Sequence, residues 1–238
     1  MATILEEIST YKRDFVARRA AELPFADVCA RAQDTPAPAD FAGVLRADGI
    51  SLIAEVKKAS PSKGVIREDF DPAAIAEAYA ENGARALSVL TDEAYFQGCD
   101  EYLQTARRVA GIPVLRKDFT VDPYQIQEAR LLGADAILLI VALMDGGQLE
   151  DFQGLGRELG LSVLVEAHTQ WELERALEAR PDLVGINNRD LQTFETTLDT
   201  TFELRPYVPQ GITLVSESGI DNYDHVRQLE ECGVDAIL

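Results

Sequence analysis

The residues best suited to acid–base chemistry are two lysines and two glutamates at the ends of apolar runs. Glu55 and Lys57 end one run, Lys117 follows a second, and Glu166 ends a third. A charged side chain beside a buried strand is unfavourable unless it is paired or used. One such lysine is more often a solvated rim residue or half of an ion pair, but the set together indicates an active site for a sugar-phosphate-type anion.

Two more polar residues follow apolar runs, and they extend this set. Asn187 ends one run, and Ser218 follows another. Because side chains alternate along a strand, Ser216 and Ser218 share a face, and we expect Ser218 to point inward. In Ser218-Gly219, glycine lets backbone N–H groups approach an oxyanion and serine adds a donor. This loop is therefore a candidate phosphate site, with charge from Lys58 or Lys63.

The elements that must position these residues are eight short apolar runs. Runs that are apolar at every position are typical of parallel strands buried on both faces. They are Ser51–Lys57, Ala86–Leu90, Pro113–Arg116, Ala136–Val141, Ser162–Glu166, Leu183–Ile186, Thr213–Val215 and Asp235–Leu238.

Segments of helical character alternate with the strands. The clearest are Pro72–Asn82, Tyr124–Leu132, Trp171–Ala179 and Tyr223–Glu231. Eight strand–helix repeats predict a (β/α)8 TIM barrel, whose catalytic groups lie at the C-terminal ends of the strands.

The two ends of the chain depart from this alternation. Residues 1–48 form an N-terminal extension that opens with an amphipathic helix, which either plugs the bottom of the barrel or covers its opening. We expect a barrel over 49–238 that is truncated in its eighth strand, because the chain stops at Leu238 within the eighth run, with the last helix absent. We expect one domain over 1–238.

Composition and charge exclude several classes of protein. The formal charge is −19, from 41 acidic and 22 basic residues, which disfavours nucleic acid as a partner. The longest apolar run is about half of the roughly 20 residues needed to span a bilayer, so we expect no membrane association. Three cysteines without C-x-x-C spacing indicate neither a disulfide framework nor a zinc site. A cytoplasmic protein is expected.

Several further residues have competing interpretations. Cys99 and His168 are interpreted as structural or incidental. Arg189 either bridges adjacent loops or serves the site. Phe96 and Phe119 are ordinary loop packing or an aromatic wall for the substrate.

Six stretches in order along the chain resemble the indole-3-glycerol phosphate synthase family of tryptophan biosynthesis. They are LIAEVKKASPSKGVI, LTDEAYFQG, PVLRKDF, LVEAHT, GINNRDLQTFE and LVSESGI. The resemblance implies a carboxy-lyase that closes a pyrrole ring on carboxyphenylamino-deoxyribulose phosphate, with loss of carbon dioxide and water. It implies no metal and no organic cofactor.

The resemblance also implies roles for individual residues. Lys117 would be the general acid on the ketone, and Glu166 the acid–base partner in dehydration, positioned with Asn187. Lys57 would contact the substrate carboxylate, and Glu55 would hold the lysines. Phosphate contacts would come from Ser60, Ser218 and Gly219, the aromatic wall from Phe119 and Leu138, and loop ordering at the mouth from Arg189.

Three expectations remain open to structural test. We expect a neighbouring lysine to lower the pKa of the proton-donating lysine. The early stop predicts an incomplete phosphate site and a weakened closure between the eighth and first strands. The alternatives are a truncated barrel that only binds anions, and another phosphate-binding barrel lyase, such as a Schiff-base aldolase with Lys117 as nucleophile.

Overall fold

Eight parallel strands close into a barrel in the computed structural model, which describes residues 4–145, 147–190 and 193–238. Each strand pairs with the next, and the last pairs with the first. The strands are β1 (Ser51–Val56), β2 (Ala86–Leu90), β3 (Val114–Lys117), β4 (Ala136–Ile140), β5 (Ser162–Ala167), β6 (Leu183–Asn187), β7 (Thr213–Glu217) and β8 (Ala236–Ile237). The predicted TIM barrel is confirmed.

Three helices precede the barrel and the others alternate with its strands. They are α1 (Ile4–Glu22), α2 (Phe25–Gln33), α3 (Phe41–Leu45), α4 (Pro72–Glu81), α5 (Glu93–Phe96), α6 (Asp100–Ala110), α7 (Pro123–Leu132), α8 (Gln148–Glu158), α9 (Gln170–Glu178), α10 (Asp199–Leu204) and α11 (Tyr223–Glu231). Short 3₁₀ turns occupy Val141–Leu143 and Arg205–Tyr207, and a two-residue ladder joins Ala59–Ser60 to Gly64–Val65 after β1. No helix among the described residues has the length and apolar character needed to cross a membrane.

Local signals in the sequence account for these elements. Every residue of β2 and β4 is buried, as expected of strands covered on both faces. The side chain of Asp71 caps α4 by accepting from the amides of the first turn, and Asp122 does the same for α7. A proline opens each of these helices at a position where no backbone donor is required.

The two ends of the barrel are closed by different parts of the extension. Phe41 and Leu45 of α3 are fully buried among the interior residues at the N-terminal ends of the strands, so α3 plugs the bottom. Ile4, Leu5 and Ile8 of α1 instead line the cleft at the C-terminal ends. Of the two interpretations of the first helix, the one in which it covers the opening is confirmed.

The seam between β8 and β1 is formed. Ser51 is in register with Ala236, and Leu52 with Ile237. These two register pairs match the two between β3 and β4. On the other side of β8, the Leu238 amide donates to the Ser216 carbonyl at 2.9 Å. The barrel is therefore closed between β8 and β1, and the strength of that closure stays a prediction.

Candidate active site

A cleft of about 440 Å³ opens at the C-terminal ends of the barrel strands. The fold brings together around it the residues to which the sequence analysis gave catalytic or substrate-binding roles, and those chemical roles stay predictions. The lining includes Glu55, Lys57, Ser60, Lys117, Phe119, Leu138, Glu166, Asn187, Arg189, Ser218 and Gly219.

Lys117, the last residue of β3, lies at the centre of this cleft between two buried carboxylates. Its Nζ donates to Glu166 Oε2 at 3.2 Å and also pairs with Glu217. Burial alone lowers the pKa of Lys117, but Glu217, Glu166 and Glu55 outweigh it and raise the pKa above its ordinary value. The expectation of a lowered lysine pKa is wrong, because Lys117 faces carboxylates.

Glu217 lines the cleft and pairs with Lys117, and the sequence analysis did not propose it for the site. Strand alternation places Val215 in the barrel interior and Glu217 on the same face, whereas the Ser216 hydroxyl is bonded to Asn188 and Thr201 outside the interior. The prediction that Ser216 and Ser218 share one face of the strand is wrong. Ser218 has φ 71°, so its backbone no longer continues the strand. Because Val215 is apolar and lies two residues before Glu217 on the strand, alternation could have predicted that Glu217 also points into the barrel.

The two carboxylates around Lys117 have opposite pKa shifts. Burial raises the pKa of Glu217 to about 7, since the attraction of Lys117 is offset by the repulsion of Glu166. Burial also favours a protonated Glu166, but Lys117, His168 and the Asn187 amide outweigh it and lower the pKa of Glu166. Glu166 is therefore the more readily ionised of the two carboxylates, and Glu217 is the more basic one.

The loop after β1 brings a second charged pair to the cleft. Lys57 forms an ion pair with Glu55, two residues earlier on the same face of the strand. Ser60, in the short ladder, and Lys63, in the turn that joins its two strands, line the cleft, whereas Lys58 does not, within the described part of the chain. Of the two lysines expected to supply charge for a phosphate, Lys63 has the required position.

An apolar wall faces these charges. Phe119 and Leu138 line it, and the ring of Phe96 lies 6.0 Å from that of Phe119. Ile8 of α1 extends the same wall toward the mouth. A wall of this size and polarity suits one face of a planar aromatic ring.

The loop after β7 contains the serine and glycine predicted to contact a phosphate. Gly219 has φ 79°, and a Cβ at this position would lie 2.5 Å from the Thr196 methyl group, so a side chain has neither the backbone conformation nor the space. Ser218 and Gly219 both line the cleft. The Ser218 amide donates to the Leu238 carbonyl at 3.0 Å, so the donors that this turn could offer to an oxyanion are the Ser218 hydroxyl and the Gly219 amide.

Arg189 lies at the mouth and orders its own loop. Its Nη1 donates to the Phe194 carbonyl at 3.3 Å, and its backbone bridges to Thr196, which packs over Gly219. Both interpretations of Arg189 are thus compatible, since it holds the loop and also lines the cleft. Leu191 of the INNRDL stretch lies outside the described residues.

Comparison with known proteins agrees with this geometry. The family model described as indole-3-glycerol phosphate synthase matches residues 5–238. Two proteins named indole-3-glycerol phosphate synthase, from two strains of Acidithiobacillus ferrooxidans, are 50% identical over 242 residues and cover 100% of this chain and 92% of their own length.

Two solved structures share the fold at low identity. The N-acetylmannosamine-6-phosphate 2-epimerase of Clostridium perfringens has TM-score 0.65 and 13% identity, over 84% of this chain and 89% of that one. The thiamine phosphate pyrophosphorylase of Pyrococcus furiosus has TM-score 0.58 and 19% identity, over 79% and 84%. At these identities the likeness concerns the barrel alone. The whole-length family match, together with 50% identity to named relatives, shows that the chain belongs to the indole-3-glycerol phosphate synthase family.

Proposed function

We propose that this chain converts 1-(2-carboxyphenylamino)-1-deoxyribulose 5-phosphate to indole-3-glycerol phosphate, carbon dioxide and water. This is the lyase and decarboxylase reaction of its family in tryptophan, hence aromatic amino acid, biosynthesis. The observation that carries the proposal is the placement of Lys117 against Glu166 and Glu217, between an apolar wall and a glycine loop.

The lining of the cleft supports one orientation of this substrate. The ring would lie on Phe119 and Leu138, with its carboxylate at Lys57. The phosphate would sit at the opposite side, against Ser60, Ser218 and Gly219, with Arg189 at the mouth. The two negative ends would then meet separate polar groups, and the ketone would lie between them, near Lys117.

Lys117 is the proposed general acid of ring closure. The ring carbon that bears the carboxylate attacks the ketone carbon, and the ketone oxygen gains negative charge. A lysine with a raised pKa stays cationic at neutral pH, so it stabilises that oxygen from the start. The alkoxide is more basic than an amine, so the proton transfers from Nζ to oxygen even though the pKa of Lys117 is raised.

Glu166 is the proposed acid–base residue of the later steps. After carbon dioxide leaves, the aromatic system and the hydroxyl formed from the ketone remain, and dehydration requires removal of a proton and protonation of that hydroxyl. The lowered pKa keeps Glu166 ionised at neutral pH, so its carboxylate is free to accept a proton, and Asn187 hydrogen-bonds that carboxylate and fixes its direction. Lys117, recharged from Glu166 across their 3.2 Å contact, can supply the second proton.

A Schiff-base aldolase is the second candidate, and the charges around Lys117 disfavour it. A nucleophilic lysine must be neutral, whereas Glu217 and Glu166 stabilise the ammonium form. Borohydride reduction in the presence of substrate distinguishes the two, because a trapped adduct on Lys117 would support the aldolase.

The proposed reaction is tested by the fluorescence of the indole product. We expect turnover by the unaltered chain, and a fall in kcat of about 10²–10⁴-fold in Lys117→Ala, the range of lost general acid catalysis. Binding of substrate without any product would instead support the alternative in which the barrel only binds anions.

Two further points belong to the proposal. We propose that residues 1–238 act as one domain, which is supported by the ion pairs of Lys12 with Asp92 and Asp118 across the extension and the barrel. We also propose that the protein is located in the cytoplasm, which is a reducing compartment, and the free thiols of Cys29, Cys99 and Cys232 support this.

A further inference from the structure

His168 lies behind Glu166, on the side away from Lys117. Its Nε2 is 3.4 Å from Glu166 Oε1, while Glu166 Oε2 faces Lys117. The imidazole is 11% exposed and Glu166 is 2% exposed, so bulk water screens this contact little. His168 therefore contacts the carboxylate to which the acid–base role was assigned, although no motif singled it out.

The other side of the imidazole is anchored by Glu172, in the first turn of α9. Glu172 Oε2 lies 3.2 Å from His168 Nδ1 and accepts the backbone amide of His168 at 2.6 Å. One carboxylate oxygen thus fixes both the backbone and the ring. Because Nδ1 must donate to a carboxylate, Nε2 is the remaining nitrogen that faces Glu166.

This arrangement has a consequence for the proton on Nε2. If the imidazole were neutral with its proton on Nδ1, a lone pair on Nε2 would face the Glu166 carboxylate, and two acceptors would be buried against each other. A proton between the two atoms removes this repulsion; at 3.4 Å the contact is an ion pair and not a hydrogen bond, since Nε2 has no hydrogen-bond partner among the described residues. Since Lys117 already stabilises an ionised Glu166, the proton belongs on Nε2, and the ring is an imidazolium.

The charges around the ring agree with this assignment. Three carboxylates act on the ring through their charge, those of Glu172 on α9, Glu166 on β5 and Glu217 on β7, while Lys117 on β3 lies on the far side of Glu166. Burial lowers the pKa of His168, but the hydrogen bond to Glu172 and the three carboxylates outweigh it and raise the pKa above the ordinary histidine value.

We propose that His168 is a positioning residue for Glu166, which, as an imidazolium tethered by Glu172, holds Oε1 in place and keeps the carboxylate ionised. The role rests on the proposed acid–base function of Glu166. His168 acts through Glu166 and touches no substrate, so its loss weakens turnover more than binding.

The protonation state can be measured without any activity. The chain has two histidines, and His225, on α11, gives the other imidazole signal in a ¹⁵N spectrum, assigned with His225→Gln. We expect both nitrogens of His168 to carry protons at pH 7. Glu166→Gln and Glu172→Gln should each lower its titration midpoint by at least about one pH unit. Glu174→Gln, an exposed change of the same kind on α9, should not.

A neutral His168 at pH 7 would overturn the proposal, and so would an unchanged midpoint in Glu166→Gln. Neither result depends on turnover, so they stand apart from a failure of the proposed function, which an inactive parent protein would reveal.

Kinetic measurements test the positioning role. We expect His168→Leu to lower kcat by about 10–100-fold, as for other residues that orient a reacting group, with KM changed less than about twofold. His168→Gln should recover part of kcat, because its amide can donate to Oε1. The unaltered protein should lose activity as the pH rises through the titration midpoint of His168 measured by NMR. The pH–activity profile of His168→Gln should not show this loss. Equal kcat in the leucine variant and the parent would contradict the role.

Discussion

The ammonium group of Lys12 lies 2.8 Å from Asp118 and 2.7 Å from Asp92, with all three side chains almost fully buried. Asp118 directly follows Lys117, and Lys12 belongs to α1, which precedes the barrel. Arg116, on the other side of Lys117, pairs with Glu128 at 2.8 Å. The central lysine is therefore flanked by two buried charged residues, one of which is held by the extension.

The first prediction concerns this contact. Lys12→Met keeps most of the length of the side chain and removes its charge, which leaves the buried Asp92 without this cation and Asp118 with Arg116, 3.6 Å away. We expect the free energy of unfolding to fall by about 3–5 kcal/mol, the range measured when one partner of a buried ion pair is removed. Urea unfolding measures this, and the loosened end of β3 should also lower kcat.

Arg13→Met is the matched control, because Arg13 is exposed on the next position of the same helix. We expect a change within about 0.5 kcal/mol, as is usual for surface substitutions. Equal stability of the two variants would show that Lys12 does not anchor the extension.

The second prediction concerns the charge state of Lys117. Glu217 is the strongest of the groups that raise its pKa, so Glu217→Gln should lower that pKa. The ammonium form is then lost at a lower pH than in the parent, and this loss enters the accessible alkaline range. NMR titration of the lysine Nζ signals, with Lys117→Met for assignment, measures the shift.

Glu203→Gln, an exposed change of equal charge on α10, should leave the Lys117 titration where it is in the parent. If the Lys117 midpoint is the same in Glu217→Gln and in the parent, Glu217 does not govern its charge.

The barrel and most of its cleft were predictable because they depend on local patterns. Continuous apolar runs such as Ala136–Ile140, when helices alternate with them, predict a parallel sheet that is covered by those helices. In barrel enzymes the catalytic groups lie at the C-terminal ends of such strands. Lys57, Lys117 and Glu166 could therefore be assigned to one cleft from their positions alone.

The missed features depend on contacts between distant parts of the chain. Glu217 required the correct face of β7, and a single-residue error in alternation moves a side chain from the interior to the exterior. The high pKa of Lys117 follows from carboxylates 49 and 100 residues away in sequence. Similarly, nothing in α1 itself specifies that Lys12 binds Asp118, since pairings of this range are set by how helices pack.

The third prediction concerns the space beside Glu217. A Cβ at Gly185 of β6 would overlap the Glu217 carboxylate, with Leu164 3.2 Å away on another side. Gly185→Ala should displace Glu217 from Lys117 and lower kcat by at least about tenfold, because small displacements of a catalytic group have effects of this order or larger. Product fluorescence measures kcat, and NMR titration should show a lowered Lys117 pKa.

Gly154→Ala is the control for this change, since Gly154 lies within α8 and nothing occupies the space of its added Cβ. We expect unchanged kcat and a gain of about 0.5–1 kcal/mol in the free energy of unfolding, because alanine is the better helix former. An active Gly185→Ala variant with an unshifted Lys117 would contradict the close packing of Glu217.

The fourth prediction concerns the proposed phosphate loop. Gly219→Ala places a methyl group 2.5 Å from Thr196 and puts alanine at φ 79°. Two effects are combined here, the strain of a left-handed residue, about 1–2 kcal/mol, and the displacement of the loop that would hold the phosphate. Gly211→Ala separates them, because Gly211 has φ 91° with no atom within 4 Å of its Cβ and lies at the opposite end of β7.

Both variants should lose about the same stability from strain, but KM should rise only in Gly219→Ala. We expect an increase of at least about tenfold in KM, which corresponds to about 1.4 kcal/mol of lost binding. Inorganic phosphate, as a competitive inhibitor, should weaken in parallel. If KM rises equally in the two variants, the effect is general destabilisation, and the phosphate must bind elsewhere in the cleft.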